Sequence, residues 1–341
     1  SICAIQVALA AMWAARGIRP TAIVGHSVGE IAAAHLAGAL TWQDACCVAI
    51  HRGRTMDMAT SKGGMIAAGL SAEETSAWIK GYEDQVALAA INGPSSVTIS
   101  GDTRIIEQIA KKIDDAGIFC RHLAVEYAFH SPQMGPVRDL LLRCLANIRP
   151  RKGHTPIIST VTGRVADGEQ FGADYWWKNV RQTVRFADAM QVAADAGFGV
   201  AVEVGPHPVL AYSITECFQK RGKTVRAIPS LHRERDDAQC MSDSLGSLYS
   251  IGIDLDWDKL FAAPEQRIPL PAYPFQRQRC WSESHESTVT RLVQTVHPLL
   301  GESTSQFATA WQNRIDLKLQ DYLAEHRVRD ACMLPAAAMI E

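Results

Sequence analysis

Apolar residues along this chain follow two spacings: the periodic spacing of helices and the short continuous runs of buried strands. Over residues 1–62 this pattern predicts a helix, a strand at 21–24, a sharp turn and two more helices, the first of them over residues 31–40. The apolar face of the first helix is made of Ile5, Ala8, Leu9, Met12 and Trp13. Strand, turn and helix in this order are typical of an α/β fold.

The pattern changes in residues 64–131, where short strands and helices alternate. Strands are predicted at 65–68, 86–91, 96–100 and 120–125. One helix begins at Ser71, which with Glu74 forms a capping box, and another covers 103–116. The order βαββαβ predicts an inserted ferredoxin-like subdomain at 64–131.

The large α/β subdomain is predicted to consist of residues 1–63 and 132–222. Its second part has strands at 156–161 and 200–203, and helices at 188–196 and from Val209. Residues 223–296 are less regular, and the four prolines within 264–285 predict an extended linker. Residues 297–341 begin another folded unit.

Composition excludes several classes of protein. The chain has 341 residues, 47% of them hydrophobic, and a net charge of −2 with scattered basic residues. These values favour a folded protein that binds neither nucleic acid nor membrane. Nine irregularly spaced cysteines indicate reduced, mostly buried thiols and a cytoplasmic location. No Cys/His cluster has metal-ligand spacing.

The turn after the first predicted strand carries the clearest chemical motif, Gly25-His26-Ser27-Val28-Gly29. Gly-x-Ser-x-Gly between a strand and a helix is typical of a nucleophile elbow. Both glycines are expected because the chain turns too sharply for a side chain on either side of Ser27. An ordinary glycine-rich turn is the alternative.

Two further residues could complete a site around Ser27. His130 ends the inserted subdomain, where the chain must return towards the elbow, so it is a candidate general base. The alternative is a structural histidine. Arg52 could face a substrate carboxylate with its guanidinium fork, whereas Arg54 is interpreted as a solvated side chain.

These residues belong to a longer series of motifs. The chain resembles the acyltransferase domain of modular or iterative type I polyketide synthases from residue 1 to about residue 281. The matching segments are GHSVGE at 25–30, Arg52, NGP at 92–94, SGD at 100–102, YAFHS at 127–131, EVGPHPVL at 203–210 and LPAYPFQR at 270–277.

The resemblance implies a reaction and partners. Ser27 would take an extender unit from malonyl-CoA or methylmalonyl-CoA and pass it to the phosphopantetheine of an acyl carrier protein. His130 would act as base, and the Val28 N–H and one further donor would hold the oxyanion. Arg52 would bind the extender carboxylate, and the Asn179 backbone carbonyl would orient His130. The resemblance implies no bound cofactor, a ketosynthase and the rest of a dehydratase on the same polypeptide, and a homodimeric parent synthase.

Three residues bear on the choice of extender unit. Val28 resembles malonyl-selective members of the family, and Phe129 would fill the space that an α-methyl group needs. Tyr127 is instead the residue of methylmalonyl selectors. Because Val28 and Phe129 both narrow the pocket, malonyl is favoured.

Residues 297–341 resemble the start of a polyketide synthase dehydratase, which has a hot-dog fold. His326 matches its catalytic base and Pro335 matches the proline of the same motif. Asp330 stands where that family has glycine, so the turn beneath His326 could be disturbed. A surface histidine is the alternative, and the acidic partner of the base is expected beyond Glu341.

Other departures from the family are visible. The oxyanion loop that precedes the elbow in the family is absent, so we expect a fragment cut at both ends, weakly active and poorly soluble. Thr183 replaces a usual proline, and Cys280 replaces a usual tyrosine. Two rival functions stay open: a serine hydrolase or thioesterase using the same elbow, and a non-catalytic docking fragment.

Overall fold

The computed structural model describes residues 2–58, 63–125, 127–261, 269–278, 280–284, 287–288, 297–304, 309–318 and 320–340. The chain divides into two compact units, residues 1–265 and 266–341. The predicted domain boundaries at 63, 131, 222 and 296 stay predictions.

The helices of the described residues are α1 Ile2–Ala15, α2 Gly29–Leu36, α3 Trp42–Met58, α4 Ala72–Trp78, α5 Thr103–Asp115, α6 Arg138–Cys144, α7 Ala173–Arg181, α8 Phe186–Asp195, α9 Ala211–Lys220, α10 Asp237–Ser250, α11 Trp257–Leu260 and α12 Ala336–Ile340. The strands are β1 Ile23–Val24, β2 Gly63–Ala68, β3 Val86–Gly93, β4 Ser96–Asp102, β5 Cys120–His122, β6 Ile157–Ser159, β7 Arg164–Ala166, β8 Val200–Glu203, β9 Arg226–Pro229, β10 Glu302–Ser303, β11 Trp311–Gln312, β12 Arg327–Val328 and β13 Ala331–Cys332. Short 3₁₀ helices cover Pro132–Val137, Gly168–Gln170 and Asp321–Glu325.

The ferredoxin-like prediction is confirmed by the four-stranded sheet in the order β3-β4-β2-β5. All three strand pairs are antiparallel. The capping box at Ser71 and Glu74 begins α4 as expected. Helix α5 buries Ile106, Ile109 and Ile113, whose spacing puts them on one face, against this sheet. The last strand is shorter than predicted and ends at His122.

The α/β part contains two small sheets with parallel pairs. In one, β1 runs parallel to β6, and β7 adds antiparallel to β6. In the other, β8 runs parallel to β9. The α/β prediction is therefore confirmed, although α2 ends at Leu36, earlier than the sequence pattern indicates.

The apolar face predicted for α1 is only partly correct. Leu9 and Trp13 are buried and pack in a cluster with α10 and β9, and Cys3 is buried in another cluster. Ile5 and Met12 are instead exposed. The helix contributes a narrower buried stripe than its sequence suggests, because almost every residue in it is apolar.

The second unit contains two hairpins among its described residues, β10 with β11 and β12 with β13. In the predicted linker, the described residues 269–278 and 280–284 form neither helix nor strand, as its prolines predict.

All nine cysteines are free thiols, but only Cys3, Cys217 and Cys240 are buried, fewer than expected. Among the described helices, none is long and apolar enough to cross a bilayer. Among the residues that the structure describes, no group of His, Cys, Asp and Glu side chains is spaced to hold a metal ion.

Candidate active site

Ser27 lies between β1 and α2 on a sharply turned backbone. Its φ is 52°, a left-handed conformation that is rare outside glycine, and this agrees with a nucleophile elbow. A Cβ on Gly25 would lie 2.4 Å from the Cα and N of Glu30, so only glycine fits there. A Cβ on Gly29 would lie 3.5 Å from its nearest neighbour, the side-chain nitrogen Nε2 of Gln6. The expectation that both glycines are sterically required is therefore wrong for Gly29.

His130 reaches Ser27 from the segment that follows the ferredoxin-like sheet. Its Nε2 lies 2.8 Å from Ser27 Oγ, although the two residues are 103 positions apart. The backbone of His130 is also left-handed, with φ 58°, and its N–H donates to the carbonyl of Val180 at 3.1 Å. The side chain is buried. The convergence expected from the sequence is present.

The other ring nitrogen of His130 does not meet Asn179, so the orienting role expected for that residue is wrong. Nδ1 lies 2.9 Å from the carbonyl oxygen of Gln182. Asn179 lies within α7, whereas Gln182 follows the helix in an extended conformation that turns its carbonyl off the helix axis. Thr183 ties the same segment to β3, because its hydroxyl donates to the carbonyl of Leu88 at 2.7 Å.

The Gln182 contact determines the tautomer of the imidazole. A carbonyl oxygen can only accept a hydrogen bond, so Nδ1 carries the proton and Nε2 is free to accept the Ser27 hydroxyl proton. A backbone carbonyl therefore does here what a carboxylate does in a Ser-His-Asp triad.

Arg52 completes the group from α3, where it is 6% exposed. Its Nη2 donates to Ser27 Oγ at 3.2 Å, and its Nε donates to Asn179 Oδ1 at 3.2 Å. Arg54 is exposed, in agreement with its interpretation as a solvated side chain.

The electrostatics favour a neutral imidazole beside a charged guanidinium. Burial, and next the positive charge of Arg52, lower the pKa of His130 to about 3. Burial lowers the pKa of Arg52 to about 10, against the opposing effect of the Glu30 carboxylate. At neutral pH this arrangement holds a hydroxyl against an unprotonated base, with a fixed positive charge in contact with the same oxygen.

Sequence reasoning missed two residues beside the elbow that are part of its own motif. Glu30 is fully buried and hydrogen-bonded to Asn179. His26 Nε2 donates to Asn92 Oδ1 at 2.7 Å and so links the elbow to β3. The helix dipole alone favours a carboxylate in the first turn of α2, so the sequence gives no sign that Glu30 differs from an ordinary surface acid. Only its burial in the structure does.

The residues expected to select the extender unit lie near this group. Tyr127 and Phe129 are stacked, with ring centroids 5.2 Å apart and planes inclined by 14°. Phe129 and Val28 both pack against the buried cluster that contains Ile31. The Tyr127–Phe129 stack joins the two residues whose sequence signals disagree.

His326 lies in the second unit, just before β12. Its Nδ1 is 2.9 Å from the carbonyl oxygen of Met333, which again leaves Nε2 unprotonated. Arg329 and Asp330 form the turn between β12 and β13 with φ of 50° and 64°. Asp330 thus adopts the left-handed backbone that a glycine would adopt more easily, and the hairpin still closes.

Comparison with known families identifies two regions. The family described as "Acyl transferase domain" matches residues 1–254. The family described as "Polyketide synthase dehydratase domain" matches residues 297–341.

Individual relatives agree with these matches. The chain is 39% identical over 348 residues to the spectinabilin polyketide synthase system protein NorA' of Streptomyces orinoci, covering 99% of this chain and 10% of that protein. It is 39% identical over 282 residues to erythronolide synthase EryA2 of Saccharopolyspora erythraea, covering 82% of this chain and 8% of that protein. The chain therefore spans about a tenth of each of these relatives.

Solved structures share the fold. The acyltransferase domain from module 8 of the salinomycin polyketide synthase superposes with a TM-score of 0.74 at 36% identity, over 76% of this chain and 61% of that one. A loading acyltransferase from the avermectin modular polyketide synthase gives a TM-score of 0.69 at 30% identity, over 73% of this chain and 78% of that one.

Proposed function

Because the chain belongs to the acyltransferase domains of type I polyketide synthases, followed by the start of a dehydratase domain, we propose that it loads a malonyl-type extender unit onto an acyl carrier protein through an ester on Ser27. The observation that carries this proposal is the contact of both His130 Nε2 and Arg52 Nη2 with one oxygen, Ser27 Oγ. A base and a cation on the same hydroxyl suit the attack of that hydroxyl on an acyl group that carries its own negative charge.

The first half-reaction acylates the serine. Ser27 Oγ attacks the thioester carbonyl carbon of malonyl-CoA while its proton passes to His130 Nε2. The N–H of Val28 stands just ahead of α2, where backbone donors have no intrahelical acceptor, and supports the developing oxyanion. The C–S bond then breaks, and the leaving thiol of CoA takes the proton from His130.

The second half-reaction repeats these steps in the other direction. The phosphopantetheine thiol of the carrier protein gives its proton to His130 and attacks the ester carbonyl. The bond to Ser27 Oγ breaks, and the serine oxygen recovers the proton. The acyl group ends as a thioester on the carrier, and the enzyme returns to its starting state.

Arg52 would select substrates with a free carboxylate. A charge-assisted hydrogen bond contributes about 1.5–3 kcal/mol, which is a preference of about ten- to hundredfold over an uncharged acetyl group. Between extender units we favour malonyl, because Phe129 and Val28 would narrow the pocket in which an α-methyl group has to fit; one methylene changes binding by about 1–3 kcal/mol.

The rival functions fit the site less well. A thioesterase has no use for a buried arginine on its nucleophile, and here a backbone carbonyl, not an acid, orients His130. A docking fragment would have no reason to keep the 2.8 Å contact between Ser27 and His130. The test offers malonyl-CoA, methylmalonyl-CoA and acetyl-CoA together and measures both transfer to a carrier protein and hydrolysis. Malonyl transfer exceeding hydrolysis supports the proposal, whereas rapid hydrolysis of the uncharged acyl group supports a thioesterase.

For the second unit we propose His326 as the base of the dehydratase. The bond from Nδ1 to the Met333 carbonyl leaves Nε2 available to remove a proton from the carbon next to the thioester carbonyl. In a polypeptide that also contains the acidic partner expected beyond Glu341, His326→Ala should stop the dehydration of a 3-hydroxyacyl thioester while malonyl loading continues.

A further inference from the structure

Glu30 is a fully buried carboxylate that the proposed reaction does not use. It lies in the first turn of α2, three residues after Ser27. Its Oε1 accepts the backbone N–H of Thr160 at 2.6 Å, and its Oε2 accepts the Tyr175 hydroxyl at 2.9 Å and Asn179 Nδ2 at 2.8 Å. These three donors compensate the cost of burying a carboxylate.

The contacts of Glu30 suit its charged form. Burial raises the pKa of Glu30, and the bonds from Thr160, Tyr175 and Asn179 oppose that shift. The Thr160 N–H faces one oxygen and the Asn179 amide N–H faces the other, and neither can accept a proton. A proton on Oε1 would therefore point at a donor, and a proton on Oε2 would be accepted only if the Tyr175 hydroxyl turned its own hydrogen to Ser159 Oγ, whereas a carboxylate satisfies all three donors.

The side chain of Asn179 connects this carboxylate to Arg52. Its Nδ2 donates to the Ser27 carbonyl at 3.1 Å as well as to Glu30, so the amide orientation is determined by two acceptors. Its Oδ1 then has to face the other way, where it accepts Arg52 Nε at 3.2 Å. One amide thus links a buried negative charge to a buried positive charge.

This arrangement limits how Arg52 can bind a substrate. With Nε engaged by Asn179, a substrate carboxylate has to be bound by Nη1 and Nη2. Nη2 also contacts Ser27 Oγ, so the carboxylate and the nucleophile are positioned by the same guanidinium. A rotation of the guanidinium would misplace the carboxylate, whereas Ser27 Oγ would keep its contact with His130 Nε2.

We propose that Glu30 is a positioning residue which, through the Asn179 amide, orients the Arg52 guanidinium and thereby sets the preference for acyl groups that carry a carboxylate. This inference rests on the proposed acyl loading at Ser27. Glu30 itself touches neither the substrate nor the reacting atoms.

The test variant, Glu30→Gln, removes the negative charge and keeps the shape of the side chain. In Glu30→Gln an N–H₂ group must face either the Thr160 N–H or the Asn179 amide, and without the negative charge any remaining bond to Asn179 is weaker, so the Asn179 amide and the guanidinium are held less firmly. We expect the ratio of malonyl to acetyl loading from the two CoA esters to fall about tenfold, the factor that one lost charge-assisted hydrogen bond gives. The fall should come from malonyl loading, with acetyl loading little changed.

A matched control separates this role from a structural one. Tyr175→Phe removes a hydrogen bond to the same Glu30 oxygen but leaves the carboxylate and its bond to Asn179. It should lower the unfolding temperature and leave the malonyl-to-acetyl ratio unchanged. If Glu30→Gln lowers both loadings in the same proportion, as a purely structural change would, the inference is overturned.

Three further outcomes are decisive. Should Glu30→Gln fail to fold, Asn179→Ala removes the amide bridge instead; a lower ratio supports the inference, and an unchanged ratio overturns it. If the unmodified protein loads Ser27 from neither ester, the proposed function fails and this inference fails with it. If the unmodified protein loads malonyl but neither variant changes the ratio, only the inference about Glu30 fails.

Discussion

Gly25→Ala should disable the elbow by pushing apart two stretches of backbone. The added Cβ would lie 2.4 Å from the Cα and N of Glu30, where ordinary contacts begin near 3.4 Å. Backbone atoms cannot rotate away as a side chain would, so the turn has to open by about 1 Å, a misplacement that reduces rates about hundredfold. Overpacking of this kind also destabilises a fold by about 1–3 kcal/mol.

The assay compares Gly25→Ala with Gly29→Ala, which changes the other glycine of the same motif. At Gly29 the added Cβ meets only the Gln6 side chain at 3.5 Å. We expect Gly29→Ala to keep the malonyl loading rate and the unfolding temperature of the unmodified protein. Equal losses in the two variants, or undiminished loading by Gly25→Ala, would show that the steric argument for this turn is wrong.

Arg52→Ala should reduce malonyl loading about ten- to hundredfold and spare acetyl loading, because it removes the charge that pairs with the substrate carboxylate. Arg54→Ala, which changes an exposed arginine, is the control. An equal fall in the malonyl and acetyl loading rates would count against carboxylate recognition. The pKa of His130, lowered to about 3 by burial and by Arg52, keeps the base neutral, so acyl loading should not vary with His130 between about pH 5 and about pH 8. In Arg52→Ala one of these causes is gone, so the acidic limb of the pH–rate profile should move to higher pH; a limb that stays in place would contradict this. The same lowered pKa means that, between pH 6.5 and pH 3, the unfolded chain binds a proton at His130 that the folded chain does not. The free energy of unfolding should therefore fall as the pH drops from 6.5, the ordinary pKa of histidine, towards 3. Chemical unfolding at several pH values measures this slope. Asp330→Gly should stabilise the β12–β13 hairpin by about 1 kcal/mol, because Asp330 has a φ of 64°; slower hydrogen exchange in the hairpin would agree, and faster exchange would not.

Local patterns in the sequence are sufficient for much of the fold. The ferredoxin-like sheet follows from alternating strands, the capping box at Ser71 and the apolar stripe of α5, each of which acts within a few residues. Element ends were less predictable. Helix α2 stops at Leu36 although small apolar residues continue to Leu40, because Gly38 follows the C-cap residue Ala37 with a left-handed backbone, φ 83°, and ends the helix.

The residues of the candidate site also differ in how well the sequence predicts them. Ser27, His130 and Arg52 could be found because their side chains have recognisable chemistry at recognisable positions. Gln182 could not, since it acts through its backbone carbonyl and any residue type would supply one. The sequence singled out Asn179 but assigned the role to its backbone carbonyl, whereas the structure shows its side chain in contact with the site. Nothing in the sequence distinguishes these two groups.

Mass spectrometry of the protein quenched during incubation with malonyl-CoA tests whether Ser27 forms an ester with the extender unit. We expect one malonyl group, on the peptide that contains Ser27, and no such group in Ser27→Ala. Malonyl found on another residue, or labelling that persists in Ser27→Ala, would contradict this expectation.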